Sequence, residues 1–267
     1  MRGLANRNKE FQLFERMILG QARGCILLLE GPSERGKSVL LSEFSALAEE
    51  KLGKRCCARV DLKGGLTLDA VFSRLCAELG SEIFPTYRTL PNAVPVQCNI
   101  DANLSGAKMG NKNRVAVRPV IGIRGGSSVQ RCSDALFQDL QSCTKPLVLI
   151  IDTFEAAIDD VSKWIIQQLL PTATRRPQLY VVVAGQRVPN RKDSPLTWGQ
   201  CAVPHILHPV ISVDDWYEYA CSRYPAFPRH HIESICKGLA DRPSIINEFI
   251  DNVARQLAAD NANGGTV

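Results

Sequence analysis

Three short runs in this chain are apolar throughout: Cys25-Ile26-Leu27-Leu28-Leu29, Leu147-Val148-Leu149-Ile150-Ile151 and Leu179-Tyr180-Val181-Val182-Val183-Ala184. Runs of this length bounded by turn residues predict strands buried on both faces, as in a parallel sheet. Cys57-Ala58-Arg59-Val60-Asp61 predicts another strand, and a short one is expected near His205–Leu207. Between them the apolar period lengthens to that of a helix. Phe11, Phe14, Met17 and Ile18 mark one helix within 6–19. Val39, Leu40, Phe44 and Leu47 are expected to form the core face of a helix from about Lys37 to Lys51. Further helices are expected over 68–80, 132–142 and 155–169. Alternating strands and helices define an α/β core over 1–211.

After Ile211 only helical patterning remains, over 213–223, 229–239 and 243–258, with Pro225, Pro228 and Pro243 at the joints. These segments predict a small helical lid over 212–260, and the Asn- and Gly-rich tail 261–267 is expected to be disordered. The rhythm also breaks at 85–131, which is rich in Pro, Asn and Gly. It carries Arg88, Lys108, Lys112, Arg114, Arg118, Arg124 and Arg131 against the single acid Asp101. Val115, Val117, Ile121 and Ile123 alternate with polar or small residues, which fits a hairpin inside this insertion. Two readings of it stay open: a solvated mobile loop, or an arm that binds a partner or nucleic acid.

Composition narrows the classes without choosing among them. The 267 residues are 45% hydrophobic and 22% charged, ordinary for a soluble globular chain, and the net charge of +5 permits contact with nucleic acid without requiring it. No apolar run approaches the ~20 residues of a membrane span, and no apolar signal core follows the N-terminus, so a cytoplasmic protein without membrane contact is expected. The ten cysteines are scattered with no Cys-x-x-Cys pair, which favours buried reduced thiols over a zinc site.

The chemistry lies in Gly31-Pro32-Ser33-Glu34-Arg35-Gly36-Lys37-Ser38, a full G-x-x-x-x-G-K-[ST] match between a predicted strand and a predicted helix. A chance match in a chain this long is on the order of 1%. The glycines let successive amides turn toward one point at a helix N-terminus, which makes an anion nest. Lys37 is expected to reach the β and γ phosphates and the Ser38 hydroxyl to bind Mg²⁺. Asp152 closes an apolar strand and supplies the carboxylate that holds the metal's water shell. Glu155, three positions on, has two readings: the acid that orients or deprotonates an attacking water, or an acid that only complements a helix dipole. Thr153 stands where many ATPases carry that acid. Gln186 and Arg187 follow the strand 179–184, at the sheet end where ligands bind. Arg175, Arg176 and Arg191 are weaker candidates for an arginine acting on a neighbour's nucleotide.

These segments, taken in order, resemble the STAND branch of the AAA-related ATPases, signalling switches that include the NACHT and NB-ARC modules. The similarity spans most of 4–258 apart from the insertion. Leu4-Ala5-Asn6-Arg7-Asn8-Lys9-Glu10-Phe11 resembles the opening segment beside the nucleotide. Glu30 to Ser38 resembles the P-loop and Val148 to Glu155 the Walker B strand. Ala184-Gly185-Gln186-Arg187 resembles the sensor strand end, and Gly238 to Ile246 the segment whose proline packs near adenine, with Asp241 where the family has glycine. The resemblance implies a three-layer P-loop NTPase core of strand order 5-1-4-3-2 with a C-terminal helical lid. It also implies ATP or ADP bound with Mg²⁺ by residues 31–38 and Val39, adenine between Arg7 and Pro243, and Arg187 on the terminal phosphate. Slow hydrolysis coupled to assembly, as a nucleotide-dependent homo-oligomer, with an effector or signalling protein encoded separately, completes that reading. A nucleic-acid-dependent AAA ATPase of the origin-recognition or transposition-helper type, using the basic insertion, is the alternative. A small-molecule phosphotransferase lacks an acceptor site in the sequence, and a nucleotide-binding scaffold without turnover is the remaining reading.

Overall fold

The computed structural model describes residues 5–90, 127–225, 227–239 and 242–263. Five parallel strands make one sheet: β1 (Ile26–Glu30), β2 (Cys57–Asp61), β3 (Leu147–Asp152), β4 (Leu179–Gly185) and β5 (Ala202–Ile206), in the spatial order β2-β3-β4-β1-β5. This is the expected order read from the other edge. The continuous apolar runs follow from double burial. Ile26, Leu28, Leu149, Ile151, Val181 and Val183 pack on one face, while Leu27, Leu29, Val148, Ile150, Val182 and Ala184 pack on the other.

Helices α1 (Asn8–Ile18) and α2 (Lys37–Leu52) cover the second face, where Phe44 stacks on Phe14 at 4.2 Å between ring centroids and meets Phe11 edge-on at 5.7 Å. The first face is covered by α3 (Leu68–Leu79), α4 (Pro85–Arg88) and α5 (Ser127–Ser142). It also carries α6 (Asp159–Trp164), which continues through a π-helical turn, Ile165–Leu169, into α7 (Leu170–Arg175). Trp164 sits between Phe72 and Phe137 at the centre of that face. Three helices follow β5: α8 (Val213–Arg223), α9 (Arg229–Leu239) and α10 (Pro243–Asn263). They share a separate core of Trp216, Ala220, Ile232, Ile246 and Ile250, which reaches back to Ala5 and Val210. No helix among the described residues is long and apolar enough to cross a membrane.

Several expectations need correction. Val39 is 50% exposed and does not belong to the α2 core, where Leu41 is buried instead. The helix expected over 155–169 begins at Asp159 and runs to Arg175. Pro171 can neither donate to the carbonyl four residues back nor tolerate it close by, and the widened π turn just before it lets the helix continue. The helix expected over 132–142 starts at Ser127, within the segment assigned to the insertion, as does α4. The last strand spans Ala202–Ile206. Pro204 interrupts its apolar pattern, and a proline is tolerated because β5 is an edge. α10 continues to Asn263, beyond the expected end at 258 and into the tail. The hairpin of Val115, Val117, Ile121 and Ile123, and the basic residues between 91 and 126, lie outside the described residues. All nine described cysteines are free thiols, and burial pushes Cys57 and Cys76 up to about 12, which leaves them inert.

The Phe11–Phe14–Phe44 cluster is the seam between α1, α2 and the sheet. Phe44→Ala is expected to lower the unfolding free energy by about 3–5 kcal/mol, measured by urea denaturation.

Candidate phosphate-binding site

The loop after β1 is shaped by its neighbours as well as by its glycines. Gly31 donates to the Gly185 carbonyl at 3.0 Å, and a β-carbon on it would lie 3.0 Å from that of Leu207, so only glycine fits without displacement. Glu34 and Gly36 adopt left-handed backbone (φ 63° and 78°), the alternation that turns successive amides to one side. α2 starts at Lys37, with its N-terminus toward the same point. The Lys37 ammonium donates to the carbonyls of Gly31 and Pro32, both at 2.6 Å, arching over the loop. Burial lowers its pKa, while Glu155 and Asp152 pull it upward.

Opposite the loop lies the end of β3. Asp152 is 1% exposed. Its Oδ2 accepts from the Ser38 hydroxyl at 3.1 Å and its Oδ1 from the Thr153 amide at 2.8 Å. Thr153 is left-handed (φ 57°), so the chain turns sharply and brings Glu155 across to β4. There the Glu155 carboxylate accepts from the Gln186 amide at 2.9 Å, and a side chain on Gly185 would collide with it. Glu155 sits in a 3-10 turn, Phe154–Ala156, and the first turn of α6 is filled by Asp159 and Asp160.

A cleft of about 460 Å³ lies between these parts, lined by Lys37, Ser38, Asp152, Thr153, Glu155 and Gln186, with Ser33, Glu34, Gly36 and Val39 on the loop side, Asp61 at the end of β2 and Lys63 just after it. The exposure that removes Val39 from the core puts it on this wall. Pro32 is exposed, and Gly31 and Arg35 support the loop from behind. Arg187 is exposed and stands outside the lining. Pro243 is buried at the start of α10, next to Arg242, whose Nε lies 4.0 Å from a Glu34 carboxylate oxygen; the helical segment thus reaches the loop. Of the weaker arginine candidates, Arg175 and Arg191 are exposed, while Arg176 is buried and donates to the carbonyls of Cys143 and Lys145 ahead of β3.

Arg7 is 5% exposed and lies behind the loop, where it donates to the carbonyls of Arg35 (3.2 Å) and His208 (2.9 Å) and pairs with Glu10 at 3.4 Å. Glu10 also meets His205 at 3.2 Å. Burial raises the pKa of Glu10, but the bonds to His205 and its own backbone and the charge of Arg7 outweigh it and hold the group below 4.5. One residue escaped sequence reasoning: Arg59 on β2, which donates to Asp152 Oδ2 at 2.6 Å and to the Ser42 hydroxyl at 2.6 Å. The signal was present in the strand period, since Arg59 shares a face with Asp61, the register partner of Asp152.

The cleft combines groups that can hold an anion with a buried acid. Backbone amides, an ammonium and a helix N-terminus converge on one wall. The Ser38 hydroxyl, in the first turn of that helix, and the Asp152 carboxylate bonded to it are oxygen ligands of a kind suited to hydrated Mg²⁺. The sheet order, with helices on both faces, is that of the three-layer α/β P-loop fold. No family model matches the chain. No curated protein matches it either. Among solved structures, Cdc6p from Pyrobaculum aerophilum aligns with a TM-score of 0.57 over 98% of this chain and 64% of its own, at 14% identity. The Aeropyrum pernix ORC2 protein, in ADPNP–ADP complexes, aligns with a TM-score of 0.57, 15% identity and the same coverages. The Aeropyrum pernix ORC1 protein, in complex with DNA, gives a TM-score of 0.55, 14% identity and coverages of 97% and 61%. At such identities the likeness is one of fold, and the chain spans less than two thirds of the length of these structures.

Arg7→Met is expected to lower stability at pH 7 by about 3–5 kcal/mol, since two carbonyls and Glu10 lose a buried partner. Glu10 has a depressed pKa in the folded chain, so its contribution is present above 4.5 and is lost as the pH falls through the depressed value. The gap between wild type and Arg7→Met in urea unfolding should therefore narrow below pH 4.5.

Proposed function

We propose that this chain is a Mg²⁺-dependent ATPase of the AAA type, working with nucleic acid. The observation that supports the ATPase reading is the 3.1 Å bond from Ser38 to Asp152, which joins a hydroxyl and a carboxylate in the same cleft as the Lys37 ammonium. Residues 33–38 hold the phosphates through backbone amides, and Lys37 neutralises charge on the β and γ oxygens. Ser38, with Asp152 behind it, would hold Mg²⁺, which supplies neutralisation of the phosphate oxygens. Glu155, fixed by the Gln186 amide at the cleft rim, orients the attacking water and takes its proton. Gln186, and through it Arg187, reports the terminal phosphate to β4. Arg7 supports the nucleotide site by fixing the Arg35 carbonyl, and Pro243 bounds the adenine side.

The nucleic-acid part rests on two supports. The Aeropyrum pernix ORC1 protein, alike in fold, was solved in complex with DNA. The 85–131 segment also carries seven basic residues and one acid. The second reading, a STAND-type switch with slow hydrolysis, nucleotide-dependent self-assembly and a separate effector, draws on the approach of Arg242 to Glu34. That approach puts the Arg-Pro segment beside the loop, as the resemblance implies.

Lys37→Ala is expected to lower ATP affinity by about tenfold or more, measured with a fluorescent ATP analogue. Glu155→Gln should retain ATP and lose about a hundredfold or more in turnover. DNA should stimulate the ATPase, and raised salt or deletion of 100–125 should suppress that stimulation. An unstimulated ATPase whose mass in solution changes between ADP and a non-hydrolysable ATP analogue would instead select the switch.

A further inference from the structure

Asp152 already carries a cation. Arg59 Nη2 donates to Oδ2 at 2.6 Å, the oxygen that also takes the Ser38 hydroxyl, while the Thr153 amide uses Oδ1. A carboxylate offers about four lone-pair sites, so both sites of Oδ2 are in use. The guanidinium is held in place from the other side. Its Nη1 donates to Ser42 Oγ at 2.6 Å, and that hydroxyl donates in turn to the Ser38 carbonyl at 3.0 Å, one turn earlier on α2. Arg59, Ser42, Ser38 and Asp152 thus close a ring of hydrogen bonds around the metal-side donors.

This ion pair is not needed to align its two strands. β2 and β3 are already paired from Cys57–Val148 to Asp61–Asp152. What the guanidinium does is compensate a carboxylate that is almost fully buried. A hydrated Mg²⁺ uses that same carboxylate, because its water ligands need acceptors there and its charge favours an ionised acid. It meets an oxygen already bonded and a fixed positive charge beside it.

We propose that Arg59 is a built-in counter-cation of Asp152, a positioning residue that competes with the metal for this carboxylate and limits how much Mg²⁺ strengthens nucleotide binding. The inference rests on the ATPase reading above. With Arg59 present, the site tolerates nucleotide without metal, and the gain from Mg²⁺ is small. With it removed, Asp152 is free for the water shell, and binding becomes strongly dependent on the ion.

The test is a Mg²⁺ titration, starting from EDTA, of the affinity of the full chain for a fluorescent ATP analogue. It compares wild type with Arg59→Gln, Arg59→Lys and Lys37→Ala. The ratio of affinities with and without Mg²⁺ should be about tenfold or more larger in Arg59→Gln than in wild type, with Arg59→Lys between them. In thermal unfolding, Arg59→Gln should melt below wild type in EDTA and recover most of the difference with Mg²⁺ and ADP; a merely structural ion pair would lower both melting temperatures alike. Should Arg59→Gln fail to fold, Ser42→Ala, which releases the guanidinium from α2, should shift the Mg²⁺ response in the same direction. Wild-type binding with an unchanged Mg²⁺ ratio in these variants overturns the inference and leaves the ATPase reading standing. Equal and negligible binding by wild type and Lys37→Ala overturns both.

Discussion

A carboxylate buried at the end of an inner strand is costly unless it is paired and hydrogen-bonded, and Asp152 is bonded from three directions. Arg59 comes from β2, Ser38 from the first turn of α2 and the Thr153 amide from the turn that follows β3. Each bond fixes an element whose position the site needs. The Ser38 bond draws the start of α2 toward the β3 end. The Thr153 bond belongs to a left-handed turn that swings Glu155 toward β4. The same low-dielectric setting that makes an unpaired acid costly makes these bonds strong.

The phosphate loop is held by a second buried charge. Arg7 ties the Arg35 carbonyl to the His208 carbonyl, and so joins the residues before α1 to the loop and to the chain leaving β5. Its pKa is lowered by burial and raised by Glu10, which His205 on β5 steadies in turn. The loop is therefore braced from behind by charge-assisted bonds and lined in front by amides. Such rigidity lets a backbone nest bind anions without first having to order itself.

The inner strands were legible because both their faces are buried, so their residues are apolar without interruption and their ends fall at the turn residues. β5 was less legible. It is an edge with one neighbour, and Pro204 breaks the pattern by which a strand is recognised. The α6–α7 helix runs past its expected end at 169, because a π turn ahead of Pro171 absorbs the hydrogen bond that proline cannot make. Val39 fits both the apolar period of α2 and the cleft wall; the period alone could not show that the first turn of α2 projects past the sheet. The loop at 31–38 was legible as a glycine turn between a strand and a helix, since that pattern is local. Arg59 was not read, although the expected strand order puts β3 beside β2 and the strand period puts Arg59 on the face of Asp61; the register that sets Asp61 opposite Asp152 is what makes its role visible.

The position of the basic segment bears on how a ligand bound there would reach the site. Before it, α4 is held by Asp139, which lies near the end of α5 and accepts from the Thr86 and Tyr87 amides, toward the edge of the sheet where β3 begins. After it, the chain re-enters at Ser127 in the first turn of α5. That turn shares a groove with Leu68 at the start of α3 and with Asp160 and Lys163 in α6, toward the edge where the phosphate cleft lies. α6 in turn follows the Asp152–Glu155 turn directly, and Trp164 in it donates to Ser133 of α5 at 2.9 Å. The described chain resumes in an element hydrogen-bonded to α6, which begins three residues after the 3-10 turn that holds Glu155. The chain that returns from that segment is thus bonded to the helix that follows the turn carrying Glu155.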